Sequence, residues 1–193
     1  ENIFVTNDDG AIKLNKGVIN GNNIIISQSH NGEGGVTIGS NVNGTGLVLV
    51  ENAGSGNMTI DGDVSGALVS LQNQTYDITT LRSSDLTTDY PLLGFTRYAA
   101  TNSPNMNNSS IEVNGNITTA SESSVFIQNS GKNGITTQGN ITSGDVLITN
   151  NGGAINLAKG TISGNNKVIV SQSNQGEGGV TLGSNANINS NGL

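Results

Sequence analysis

Residues 111–118 read Ile-Glu-Val-Asn-Gly-Asn-Ile-Thr. Ile111 and Val113 alternate with polar neighbours, which is the period of a strand with one buried side. Gly115-Asn116 breaks the alternation, and Ile117 opens a new apolar position. The pattern recurs. IKLNKGVI starts at Ile12, VTIGSNVN at Val36, MTIDGDVS at Met58, ITTQGNIT at Ile135, INLAKGTI at Ile155 and VTLGSNAN at Val180. First and third positions are apolar, Thr137 excepted. The sixth position reads Gly17, Asn41, Asp63, Asn116, Asn140, Gly160, Asn185. These residue types tolerate positive φ, so the column predicts one recurring tight corner. The seventh position returns to Val, Ile, Thr or Ala, where another short strand begins.

A second strand family interleaves with the first. It runs IFVTN from Ile3, IIISQ from Ile24, LVLVEN from Leu47, ALVSLQN from Ala67, VFIQN from Val125, VLITN from Val146 and VIVSQ from Val168. Most members end in Asn or Gln, whose side chains can stack in a hydrogen-bonded ladder at matching positions. No segment carries a useful 3.6-residue period. The repeat of about 20–25 residues, read as strand, corner, strand, loop, strand, predicts an all-β fold: a parallel, right-handed β-solenoid (β-helix) spanning residues 1–193. With coils ~4.8 Å apart, seven or eight of them make a rod about 35–40 Å long.

Composition agrees with a thin stack. The 193 residues hold 31 Asn and 28 Gly but only 3% aromatics, too few for a wide globular core. With no Cys, disulfide scaffolds, thiolate zinc sites and thiol nucleophiles drop out. A net charge of −7 with 7 Lys+Arg argues against nucleic acid, which needs clustered cations. No apolar run approaches the roughly 18 residues of a membrane-spanning helix.

A longer repeat lies above the short one. Residues 10–43 match residues 153–187 at 24 of 34 aligned positions, with Lys167 inserted. The SQS…GEGG text occurs only in those two places. This indicates a tandem unit of 143–144 residues that restarts near residue 146. Neither end reads as a cap, and bare solenoid ends expose unpaired strands, so the parent chain is expected to continue. Residues 74–110 interrupt the coils as an inserted lobe. The lobe holds all three Tyr, both Arg and both Pro. Tyr76, Arg82, Tyr90, Phe95, Arg97 and Tyr98 are of the types that anchor interfaces and stack on sugar rings; they are the candidate ligand-binding residues. The same side chains, with Leu81, Leu86, Leu92 and Leu93, also suit a small core of the lobe's own.

Catalytic constellations are sparse. The only His, His30, has Asn174 as its counterpart in the second unit, which leaves no serine-hydrolase base. A carbohydrate-processing β-helix would need clustered carboxylates with a nearby cation. The candidates are Asp61 with Asp63, or Asp77, Asp85 and Asp89 with Arg82 and Arg97. Asp63 is explained more simply by the corner. Asn7-Asp8-Asp9-Gly10 resembles a carboxylate turn, but its copy Asn150-Asn151-Gly152-Gly153 has no charge, so polar turns account for it without calcium. No cofactor or metal is expected. Asn-x-Ser/Thr acceptors stand at Asn43, Asn57, Asn73, Asn107, Asn108, Asn116 and Asn140; glycosylation there is a further expectation to test.

Residues 139–166, GNITSGDVLITNNGGAINLAKGTISGNN, resemble the repeats of large bacterial β-helical adhesins: filamentous haemagglutinin-like two-partner-secreted exoproteins and autotransporter passengers. The resemblance covers the coils and not the lobe, and it carries over no binding residue. It implies type V secretion and display on a bacterial cell surface. Its partner would be a glycan or protein of a host or neighbouring cell, with adjacent repeats and self-association as further contacts. The resulting expectation is a non-catalytic segment of a tandem-repeat adhesin or fibre, with a rigid stem and recognition by the 74–110 lobe. The rivals are a purely structural spacer stalk and a tailspike- or lyase-like enzyme.

Overall fold

A computed structural model describes residues 1–28, 33–73, 76–77, 98–99, 108–172 and 177–191, with residues 76–77 and 98–99 as backbone. It is an all-β, parallel solenoid with three faces. Face 1 stacks Ile3–Asn7, Ile24–Gln28 and Leu47–Asn52, then the later parts of Val64–Asn73, Ile117–Asn129, Ile141–Asn150 and Ile155–Gln172. Face 2 stacks Ala11–Leu14, Gly35–Ile38, Met58–Ile60, Ser110–Val113 and Gly134–Thr137, followed by the starts of Ile155–Gln172 and Val180–Ser190. Face 3 begins with Val18–Gly21 and Asn41–Gly44 and continues through residues 64–66, 117–119, 141–143, 160–164 and 186–190. Among the described residues each face thus holds seven rungs, about six full turns from the first to the last. Every ladder of this sheet is parallel.

The alternation seen in sequence sets which side chains turn inward. Face 2 sends in Ile12, Val36, Met58, Ile111, Ile135 and Ile155 as one column. Face 1 sends in the aligned Ile24, Val48, Val69, Val125 and Val146. Face 3 contributes Val42, Val64, Ile117, Ile141 and Ile162. These side chains form one continuous cluster along the axis. The interior is one side chain deep from each face, so aliphatics fill it and, among the described residues, no aromatic enters the cluster. Burying each Ile or Val is worth roughly 1.5–3 kcal/mol, and repetition along the stack makes the rod cohesive.

A smaller apolar cluster lies on the outward side of face 1. Ile25, Leu47 and Leu49 are buried there, with Leu68 packed against them. Glu51, Ser70 and Gln72 on the same face are also buried. Outward positions of face 3 are polar instead: Asn20, Asn43, Ser65, Thr118, Thr142, Ser163 and Asn189 follow one another in register.

Candidate functional site

The corner between faces 1 and 2 is where residues 74–109 fall between two rungs of the solenoid. The strand Val64–Asn73 passes from the third rung of face 3 to the fourth rung of face 1, ending at Asn73, and face 2 resumes at Ser110. Register on face 1 still runs directly from Val69 to Val125, so the interruption does not disturb the stack. A buried asparagine ladder lines this corner from within. Asn52 Nδ2 donates to Asn73 Oδ1 at 2.8 Å, Asn73 Nδ2 to Asn129 Oδ1 at 3.0 Å, and Asn129 Nδ2 to Asn150 Oδ1 at 3.0 Å. The same amide groups also turn to loop carbonyls: Asn52 to Gly56 O, Asn73 to Ser110 O, and Asn129 to Gly131 O and Gly134 O. Buried carbonyls need such donors. The bond from Asn73 to Ser110, 3.0 Å long, ties the departure point to the return point. At the ends of the ladder Gln28 and Gln172 reach Gly10 O and Gly153 O.

The corner between faces 2 and 3 carries a second, exposed ladder. Asn41 Oδ1 accepts from Asp63 N at 3.1 Å, Asp63 Oδ1 from Asn116 N at 2.8 Å, Asn116 Oδ1 from Asn140 N at 2.9 Å, and Asn140 Oδ1 from Thr161 N at 2.9 Å. The Asn and Asp members therefore supply side-chain acceptors to the next rung. Positive φ occurs at the two glycines, Gly17 at 114° and Gly160 at 81°. The cause is spacing. Ile38 to Val42, Ile60 to Val64, Val113 to Ile117 and Thr137 to Ile141 cross the corner in four steps, but Leu14 to Ile19 and Leu157 to Ile162 take five. Gly17 and Gly160 absorb the extra residue. Register accordingly aligns Val18 with Asn41, while Gly160 pairs Ala186 and Asn185 pairs Lys159. Of the seven sequence-defined corner residues, the structure places Asn41, Asp63, Asn116 and Asn140 in one ladder and sets Gly17, Gly160 and Asn185 beside it.

The glycine that precedes the ladder residue escapes a reading of the sequence by its sixth column alone. A Cβ on Gly62, Gly115 or Gly139 would press into the carbonyl oxygen of Ser40, Gly62 or Gly115 in the neighbouring rung. Its signal is the fifth column of the repeat, where Gly recurs before Asp63, Asn116 and Asn140.

The carboxylates at this corner are engaged in the same bonding. Asp61 Oδ1 accepts from Asn114 Nδ2 at 2.8 Å, and Asp63 lies in the ladder. Asp9 accepts from Gly10 N at 2.7 Å as a turn residue. Among the described residues, no three His, Cys, Asp or Glu side chains converge on a position for a metal ion. Asn73 is fully buried with its amide donated to both Asn129 and Ser110, so its acceptor motif is closed to a glycan.

Tyr76–Asp77 and Tyr98–Ala99 form a separate antiparallel pair, with Tyr76 opposite Ala99 and Asp77 opposite Tyr98. That brings two of the candidate ligand-binding positions onto one backbone ribbon. Arg82, Tyr90, Phe95 and Arg97, together with His30, Asp85 and Asp89, lie outside the described residues.

On face 3 the corner that follows Ile117–Thr119, the fourth rung of that face, protrudes. Thr119 aligns with Gly66 and Ser124 with Leu68, so five steps stand against two. Hydroxyls hold the bulge: Thr119 Oγ1 and Ser143 Oγ are 2.6 Å apart, and Ser143 Oγ donates to Ser123 O at 3.0 Å. Beside it lies a depression of about 400 Å³ lined by the last four rungs of face 3 and the corners that follow them.

Among the described residues, no helix is long and apolar enough to cross a membrane. No family model, curated protein or solved structure matches the chain.

Proposed function

We propose that this chain is a non-catalytic segment of a secreted, tandem-repeat bacterial surface adhesin or fibre. The solenoid is the rigid stem, and residues 74–110 supply recognition of a host or neighbouring cell. The observation that carries the reading is the fit between the long repeat and the rungs. Residues 10–43 belong to the first two rungs, and their copies at 153–187 belong to the last two. One unit is therefore five whole rungs, and copies join with no break in the core columns. Each unit adds about 24 Å of rod, taking ~4.8 Å per rung. Every copy of residues 74–110 would leave from the same corner, so weak single contacts would gain avidity along the fibre.

The test extends the chain by one and two further units and measures particle length by electron microscopy. The reading expects an increment of about 24 Å per unit at constant width; compact particles without that increment would refute it. Replacing residues 74–108 by a short turn then separates adhesin from spacer. Loss of cell binding with the strand-rich circular dichroism intact supports recognition by the insertion. Absence of binding by the unaltered chain favours a pure spacer.

A further inference from the structure

The outward column of face 3 divides into two halves of different chemistry. In the lower half the side chains satisfy one another: Asn43 Nδ2 donates to Asn20 Oδ1 at 2.9 Å, and Ser65 Oγ to Asn43 Oδ1 at 3.1 Å. In the upper half Thr142, Ser163 and Asn189 follow in register on three successive rungs. Their side chains make no hydrogen bond within the described residues. These three form the floor of the depression of about 400 Å³.

The depression has built walls. One is Ser121, in the protruding corner pinned by the Thr119–Ser143 hydroxyl pair. The other is the register shift at Gly164 and Asn165 within the strand Ile155–Gln172. Asn165 Nδ2 donates to Ser121 O at 3.4 Å, which joins the walls across 44 residues of chain. Asn191 Nδ2 in turn donates to Asn165 Oδ1 at 3.4 Å. Among the described residues, no charged side chain lines the space. Asp145 and Lys167, outside the lining, face each other at 3.7 Å.

From this geometry we infer that the depression is a subsite for a neutral oligosaccharide. Hydroxyls and carboxamides both donate and accept, as sugar hydroxyls require. The floor spans two rung spacings, ~10 Å, the length of about two sugar rings. Its volume lies within the range of small-ligand sites, ~300–1,000 Å³. A peptide would find no apolar side chain to seat against in the lining, and the floor strands at Ile141–Ser143 and Ile162–Gly164 are paired on both sides, which leaves Val180–Ser190, paired on one side among the described residues, as the one edge nearby. An acidic sugar meets no cation in the lining and a chain of net charge −7. The inference stands apart from the stem-and-insertion reading, because it uses only residues of the rungs.

The test is an amide NMR titration of the whole chain with cellobiose, lactose and N,N′-diacetylchitobiose, and with a uronic-acid disaccharide for comparison. The expected result is saturable shifts at Thr142, Ser163 and Asn189 with at least one neutral sugar, and weaker binding of the acidic one. Ser163→Tyr fills the depression and should weaken binding at least about tenfold, while Thr59→Tyr on face 2 leaves it unchanged. Asn189→Tyr, at an exposed position, repeats the test where Ser163→Tyr disturbs the fold. No saturable shift up to the solubility limit overturns the proposal. So do shifts elsewhere, including in residues 74–110, and binding that survives both substitutions.

Discussion

Two columns rich in asparagine climb this molecule, and they do different work. The column inside the face 1–2 corner, Asn52, Asn73, Asn129 and Asn150, is buried. Its amides satisfy both one another and the loop carbonyls. The column at the face 2–3 corner, Asn41, Asp63, Asn116 and Asn140, is exposed, and its side chains accept backbone N–H groups of the next rung. Residue type and rung spacing are nearly the same. Burial decides what each bond is worth, because water replaces a lost partner at the surface and cannot do so inside.

The comparison breaks most visibly at Asn129. Asn129→Ala removes the donor shared by Gly131 O, Gly134 O and Asn150 Oδ1. The expected loss is about 3 kcal/mol, read as a lower urea midpoint. An unchanged midpoint would mean that water enters the corner. At the outer corner the sensitive residue is the glycine. Gly115→Ala drives a methyl into Gly62 O and should cost about 2 kcal/mol in the same assay; tolerance of alanine would show that the corners are looser than the rungs imply.

Thr137 sharpens the contrast from the opposite side. It occupies an inward position between Val113 and Leu157, and its hydroxyl is fully buried without a partner. Thr137→Val keeps the shape and removes the unpaired group, so stability should rise by about 1 kcal/mol. A fall would reveal a partner for the hydroxyl in solution. The smallest effect belongs to Asn140→Ala, which frees Thr161 N at an exposed corner. It should cost about 0.5 kcal/mol, several-fold less than Asn129→Ala. Equal costs for the two substitutions would remove burial as the explanation.

Much of this architecture is legible in the sequence, and the exceptions have physical causes. Alternation around Ile111 and Val113 exposes the inward columns because a strand's period is two. The Asn or Gln ending each face 1 segment marks the buried ladder, since a polar residue at one fixed register position needs a partner in the next rung. Equal spacing of the repeats puts Asn185 in the corner column. In the structure Leu182 to Ile188 takes six steps, and only pairing across rungs reveals that. The role of Gly62, Gly115 and Gly139 shows only as a recurrence of Gly in the fifth column across repeats, because a close approach between rungs leaves no mark within one repeat. The face 3 depression is equally illegible. Thr, Ser and Asn are frequent throughout the chain, and the wall at Ser121 exists only through the register of its corner against Gly66 and Leu68.

The central claim is that rungs separated by the 74–110 insertion are direct neighbours. Thr59 and Glu112 are register partners on face 2 although 53 residues apart, and Thr136 is one rung further on. The chain has no cysteine, so an introduced pair reports without interference. Adjacent rungs, ~4.8 Å apart, fall within disulfide reach, and rungs two spacings apart do not. Mild oxidation of Thr59→Cys/Glu112→Cys should give a near-quantitative intramolecular disulfide by mass spectrometry, and Thr59→Cys/Thr136→Cys should stay reduced. Failure of the first pair, or equal closure of both, would contradict the stacked solenoid.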